Sequence, residues 1–290
     1  MINLLVTGSN GQLGQCLRQQ LQNITDVSCY FATREDLDIT NNEGVQGFFS
    51  EHNFDYCINT AAYTNVEKAE SEQKEAFLIN AEGAHNLANV CKKHNVVLLH
   101  ISTDYVFDGT KKTPYLEEDP TNPLNVYGAS KLKGEQYIST SCSKHFIIRT
   151  SWLYSLYGHN FLNSMLQFAT QKKALTITTQ QKGTPTNAND VAQILITIIK
   201  TGNTRYGVYH FSNQGEGTWY DFARAIFKAT GEIDSVNLAK TKHYPTFAKR
   251  PNYSVLNCNK VQVTFNNKCS HWEDSLKDLI QKTNGAKSHL

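Results

Sequence analysis

The feature that most restricts how this chain can fold is an apolar strand running straight into three spaced glycines. Ile2-Asn3-Leu4-Leu5-Val6 has strand length and strand composition, and Gly8-Ser9-Asn10-Gly11-Gln12-Leu13-Gly14 follows at once. From Gln12 to about Leu21 the apolar positions take helical spacing. Glycines at such a turn permit a tight reversal, let backbone approach a pyrophosphate, and let the helix lie close on the strand. The helix N-terminus then faces the negative phosphates. The spacing is G-x-x-G-x-x-G rather than G-x-G-x-x-G. A plain strand-turn-helix connection is the other reading of the same residues.

The pattern continues as the turn requires. Val27 to Ala32, Asp55 to Asn59, Val96 to Ile101 and Phe146 to Arg149 read as further strands, and Glu70 to His94 reads as a long helix. Strands alternating with helices predict an α/β fold with a Rossmann-type, doubly wound parallel sheet. Past Trp152 the pattern becomes irregular. Helices are predicted over Asn160 to Thr170, Asp190 to Thr201, Trp219 to Thr230 and Trp272 to Lys282, with extended pieces at Thr176 to Thr179 and Val208 to Phe211. The expected organisation is an NAD(P)-binding domain over 1–151 and a smaller, mainly substrate-binding C-terminal lobe over 152–290 set over the carboxyl edge of the sheet. Part of the first core returns later in the chain. The polar C-terminal residues are expected to fray.

Charge and cysteine usage remove other classes. Lys and Arg number 28 against 26 Asp and Glu, with no basic stripe for nucleic acid. No apolar run reaches membrane-spanning length, and the apolar start is too short for a signal peptide. The seven cysteines, at 16, 29, 57, 91, 142, 258 and 269, are odd in number and form no C-x-x-C pair. They predict buried free thiols, no zinc site, and a cytoplasmic protein.

The chemistry is carried by Asn125-Val126-Tyr127-Gly128-Ala129-Ser130-Lys131. A spacing of four puts Tyr127 and Lys131 on one face of a helix. A free phenol has a pKa of about 10 and a free lysine about 10.4. An ammonium beside a phenol lowers the phenol's pKa, which suits a general acid acting as a ketone becomes an alcohol. Leu98 to Asp104 brings Thr103 and Asp104 to a strand end. Thr103 can polarise a carbonyl; Asp104 can assist proton supply, hold a sugar hydroxyl, or cap the next segment. His100 reads as a packed core residue. After the second strand, Arg34 favours the extra phosphate of NADPH, with NADH also accepted, and Asp38 and Ile39 are placed for the adenine. Glu35 and Asp36 read as solvated.

These residues form a short-chain dehydrogenase/reductase pattern of the extended, nucleotide-sugar branch. Longer stretches resemble the dTDP-4-dehydrorhamnose reductases: Val6 to Gly14, Asn59 to Glu70, Ser102 to Gly109, Pro123 to Lys131, Arg149 to Tyr154, Gly183 to Thr186, and Arg250-Pro251 with Ser254. The resemblance implies NADPH-dependent reduction of the 4-keto group of dTDP-4-dehydro-L-rhamnose, in the supply of rhamnose for lipopolysaccharide or O-antigen. Thr103, Tyr127 and Lys131 would form the triad, with Asp104 and Tyr105 beside the sugar and Trp152 stacked on it or bounding it. Gly8, Asn10, Gly11, Gln12, Leu13 and Gly14 would cradle the cofactor. Ala61, Ala62 and Tyr63 would line it, with Asn80 close by. Asn160, Phe161 and Arg250 would face the nucleotide part of the substrate; core packing is the other reading of Phe161. Some members are metal-bridged dimers built on glutamates. Cys16 and Asn189 stand at those positions here, so no metal and a monomer are expected, with a dimer left open. Two further readings use the same fold: a non-catalytic dinucleotide-binding subunit of the methionine adenosyltransferase type, and a nucleotide-sugar epimerase or dehydratase. The intact triad speaks against the first. The lack of a second acid after Asp104 speaks against a dehydratase, and the short C-terminal lobe speaks against an epimerase.

Overall fold

Six short apolar segments pair side by side in the computed structural model, which describes residues 1–171, 174–242 and 244–287. They are β1 (Ile2–Thr7), β2 (Val27–Ala32), β3 (Tyr56–Asn59), β4 (Val97–Thr103), β5 (His145–Thr150) and a late strand, Gly207–His210. All are parallel, in the spatial order β2-β1-β3-β4-β5-late strand. Parallel strands covered on both faces are apolar throughout. Leu4 and Val6 face one layer while Leu5 faces the other, and Leu99 and Leu98 divide in the same way. One layer is α1 (Gln12–Leu21) with the later helix Ala188–Thr201; the other holds α2 (Asn42–Glu51), Ala84–His94 and Val126–Ser141.

The chain leaves β1 toward β2, then crosses back to β3. That reversal opens a crevice at the carboxyl ends of β1 and β3, where ligands bind in such sheets. The register sets Thr7, Asn59 and His100 abreast on adjacent strands there.

A separate apolar core forms in the C-terminal lobe, from Phe161–Thr170, Trp219–Thr230 and Trp272–Lys287, with Tyr154, Phe222, Phe227 and Trp272 buried in it. Ala188–Thr201 and Gly207–His210 rejoin the first core from within the same stretch of chain.

The helix expected over Glu70 to His94 is broken. It runs as Gln73–Phe77, a π-turn over Leu78–Gly83, and Ala84–His94. The π-turn rotates Asn80 inward, where it is buried. The helix α2 has no counterpart in the sequence reading. It carries two glycines and only Val45 and Phe49 as buried residues, so its apolar period is too short to read. All seven cysteines are free; six are buried and Cys29 is half-buried. The expected fraying of the C-terminus falls on 288–290, outside the described residues. No described helix is long and apolar enough to cross a membrane.

Candidate active site

Gly8 sits at the crevice with φ +66°, and a Cβ there would lie 2.6 Å from the Cα and N of Ala61. Only glycine allows β1 and the loop after β3 to meet so closely. Helix α1 begins at Gly11 without a side-chain cap, so its first N–H groups stay free for an anion. Gly14 lies outside the cleft and lets α1 rest directly on the Ser9 backbone.

The helix α6 (Val126–Ser141), following the short helices Val66–Ala69 (α3), Gln73–Phe77 (α4) and Ala84–His94 (α5), carries the Tyr-Lys pair. Asn125 caps it, accepting from the Gly128 N–H at 2.7 Å. A Cβ on Gly128 would lie 2.2 Å from the Tyr105 carbonyl oxygen, so glycine lets the start of α6 press against the turn after β4. Tyr127 thereby sits beside the Thr103 hydroxyl, which stabilises its phenolate.

The resulting cleft has a volume of about 810 Å³, within the usual range for small-molecule sites. It is lined by Gly8, Asn10, Gly11, Gln12, Leu13, Arg34, Asp38, Ile39, Ala61, Ala62, Thr103, Asp104, Tyr127, Lys131, Trp152, Asn160 and Phe161. All were candidates from sequence. Thr33, Thr60, Ser102, Ser151 and Trp219 also line it and were not.

The electrostatics differ from the sequence expectation. Burial raises the Tyr127 phenol to about 12; Thr103 pulls it down and Asp104 pushes it up. Acidification by Lys131 does not appear, because burial dominates and the Lys131 Nζ lies 3.2 Å from His100 Nε2. Burial lowers Lys131 itself to about 8, against the pull of Glu135. Burial raises Asp104 to about 7, with Ser254 and Thr103 pulling it back. Asp104 Oδ1 accepts from Thr103 at 3.1 Å, while its buried Oδ2 has no partner.

Several candidates do other work. Asn80 grips Tyr63, accepting from its N–H at 2.9 Å and donating to its carbonyl at 3.0 Å, and also donates to Ser130 Oγ. Tyr63 itself turns away and donates its hydroxyl to Glu72. Both lie outside the cleft and hold its floor to α6. Tyr105 is buried edge-on to Tyr127, with ring centroids 6.0 Å apart. Arg250 is outside too: its guanidinium donates to Glu67 at 2.7 Å, and the same carboxylate accepts from Phe247 and Ala248 N–H. Asn160 lines the cleft with its amide fully engaged. It caps Phe161–Thr170 and donates to Ser155 O, Tyr157 O and Gln12 Oε1. Gln12 in turn donates to Leu153 O at 3.2 Å, so its side chain joins the glycine turn to the lobe.

Trp152 has φ +43°, a sparsely populated conformation for a bulky residue. Its ring stacks on Trp219 at 3.7 Å and 6°, and Gly183 packs so closely that a Cβ there would lie 2.6 Å from the ring. Trp152 therefore bounds the cleft, with one face of its ring covered by Trp219. Phe161 is both wall and core, packing on Trp219 and on Phe222.

At the cofactor end, Arg34 is exposed and makes only loose ion pairs, 3.5 Å to Asp38 and 3.8 Å to Glu75. Asp36 is occupied by Thr33 N–H and hydroxyl, and Asp38 by those of Thr40. The glycine turn, the uncapped helix and an exposed, loosely paired guanidinium beside it fit a phosphorylated dinucleotide. Among the described residues no group of three or more His, Cys, Asp or Glu could hold a metal. Asn189 hydrogen-bonds Gln20, and Cys16 is buried.

Comparison with known proteins agrees with this geometry. The family model described as "RmlD substrate binding domain" matches residues 2–284. The dTDP-4-dehydrorhamnose reductase of Aggregatibacter actinomycetemcomitans is 40% identical over 289 residues, covering 96% of this chain and 98% of that protein. The dTDP-4-keto-6-deoxy-D-glucose reductase of Streptomyces niveus is 34% identical, covering 98% of each. Among solved structures, dTDP-4-dehydrorhamnose reductase from Bacillus anthracis in complex with NADP superposes with a TM-score of 0.93 at 36% identity, covering 97% of this chain and 100% of that one.

Proposed function

Because this chain belongs to the RmlD substrate binding domain family, alongside the dTDP-4-dehydrorhamnose reductases, we propose that it reduces the 4-keto group of dTDP-4-dehydro-L-rhamnose with NADPH to give dTDP-L-rhamnose. One observation carries the reading. A single cleft runs from the glycine turn and Arg34 to Thr103, Tyr127 and Lys131, joining a dinucleotide cradle to a proton donor.

The division of labour follows from the residues. NADPH, when bound, supplies the hydride. Gly8, Asn10, Gly11 and the start of α1 hold its phosphates, and Arg34 meets its additional phosphate. Tyr127 donates a hydrogen bond to the sugar's carbonyl oxygen and gives that oxygen its proton, and Thr103 would turn its one O–H from Asp104 to the same oxygen. Its phenol stays protonated throughout the physiological range, as a proton reservoir must. Lys131 balances the phenolate left behind. Asp104 lies behind Thr103 and accepts from that hydroxyl until the substrate does. Trp152, Trp219 and Phe161 form an apolar wall that bounds the sugar. The protein is read as a cytoplasmic monomer with no resident metal, with 1–151 holding the cofactor and 152–290 mainly the substrate.

The Streptomyces niveus relative supports a second reading, reduction of dTDP-4-keto-6-deoxy-D-glucose. Both need the same triad, since the substrate's orientation sets which face is reduced. Incubation with each ketosugar and NADPH, with product identification by NMR, separates them. Turnover of the L-rhamno ketone at the higher kcat/KM is expected; preference for the D-gluco ketone overturns the substrate assignment. Turnover of neither overturns the reductase.

A further inference from the structure

Behind Lys131 lies a buried hydrogen-bond chain that the triad does not use. Thr7, Asn59 and His100 stand abreast on β1, β3 and β4. The Thr7 hydroxyl donates to Asn59 Oδ1 at 2.7 Å, and the Ala61 backbone N–H donates to the same oxygen at 3.1 Å. A backbone N–H can only donate, so this atom is the oxygen and the amide cannot be flipped. The Asn59 Nδ2 therefore donates to His100 Nδ1, 3.0 Å away. With Nδ1 accepting, the imidazole carries its proton on Nε2. That Nε2 lies 3.2 Å from Lys131 Nζ.

We propose that His100, held in its Nε2–H tautomer by Asn59, is a positioning residue that turns a proton donor toward Lys131 and biases it to the neutral amine. An amine accepts this hydrogen bond; an ammonium would set N–H against N–H in a buried site. The pair is enclosed, His100 and Lys131 both being buried. Burial and the Lys131 charge hold His100 well below the usual histidine range, with His145 of β5 acting in the same direction, so the ring stays neutral. Burial also lowers Lys131, while Glu135, one turn further along α6, raises it; Tyr127 lies one turn before it.

The consequence rests on the reductase reading. Reduction uses the ammonium, which offsets the phenolate formed as Tyr127 gives its proton. Reduction should therefore decline as pH rises through the Lys131 value of about 8. His100 would set where that decline falls.

Two measurements test this, and the first is independent of turnover. Histidine ¹⁵N NMR of the wild-type protein should show His100 neutral and protonated at Nε2. An Nδ1–H tautomer or an imidazolium overturns the proposal even if the enzyme is active. The second is the pH profile of kcat/KM for His100→Leu. Removing the donor should move the alkaline limb upward by about one pH unit, the worth of one hydrogen bond. An unmoved limb, with only a uniform loss of rate, would make His100 purely structural. If the reductase reading fails there is no limb to follow, while the tautomer still decides the geometry.

Discussion

The wall of the cleft built from β1, β3, β4 and α6 and the wall built from the C-terminal lobe use their polar groups differently. On the sheet side, groups are left uncommitted or only loosely held: the first N–H groups of α1, one oxygen of Asp104, and the Arg34 guanidinium with its long ion pairs. On the lobe side, the amide of Asn160 is bonded within the protein, in part to Gln12 of α1, and the Trp152 ring is stacked on Trp219 and packed against Gly183. The first wall is prepared for chemistry, and the second is prepared to hold a shape. A buried group without a partner costs free energy, and the unpaired Asp104 oxygen sits where a ligand can complete it.

The comparison is broken most severely where the sheet wall itself is closed. Below Ser102, Glu135 pairs bidentately with Arg149 at 2.7–3.2 Å, both buried. Glu135→Ala would leave a buried guanidinium unpaired and should cost about 3–5 kcal/mol, read as a lower denaturant midpoint. A loss near zero would mean this wall is as open below its surface as it is above. Next in size is the cofactor end. Arg34→Ala should cut the preference for NADPH over NADH about tenfold, or about 1.4 kcal/mol. Unchanged discrimination would move the selection elsewhere.

On the lobe side the expected effect is smaller and of another kind. Trp219→Ala removes a ring stack worth about 1 kcal/mol and should raise KM about fivefold with kcat nearly unchanged. A fall in kcat alone would assign the lobe a chemical part. A different kind of effect lies in the pH dependence of stability. Asp104 has a folded value of about 7 against 3.8 unfolded. The folded state thus binds the extra proton, and stability declines as pH rises through this window. Asp104→Asn should flatten that decline in melting temperature; an unchanged slope would assign it to other groups.

The same contrast decides what could be read from the sequence. Gly8 to Gly14, Thr103-Asp104 and Tyr127 to Lys131 are contiguous, and strand or helix geometry alone sets their relation. The lobe wall joins Trp152 to Trp219 and Gln12 to Asn160 across long stretches of chain, and no local period reports such pairings. Arg250 was assigned to the nucleotide part through the family resemblance, but Glu67, far away in sequence, holds it. His100 was read as packed core because its strand is apolar; the Asn59 beside it becomes visible only once the parallel register is known. Acidification of Tyr127 by Lys131 followed from spacing alone, whereas burial, which spacing does not report, controls the phenol.

The central claim is that this cleft delivers a hydride to a ketosugar while Tyr127 supplies the proton. Nicotinamide-deuterated NADPH and dTDP-4-dehydro-L-rhamnose test it directly, with the wild type and Tyr127→Phe compared at matched cofactor occupancy. The account predicts dTDP-L-rhamnose carrying deuterium at C4 from the wild type. Tyr127→Phe should bind NADPH normally and form product at least about a hundredfold more slowly. Unlabelled product, or labelled product from Tyr127→Phe at the wild-type rate, would contradict it.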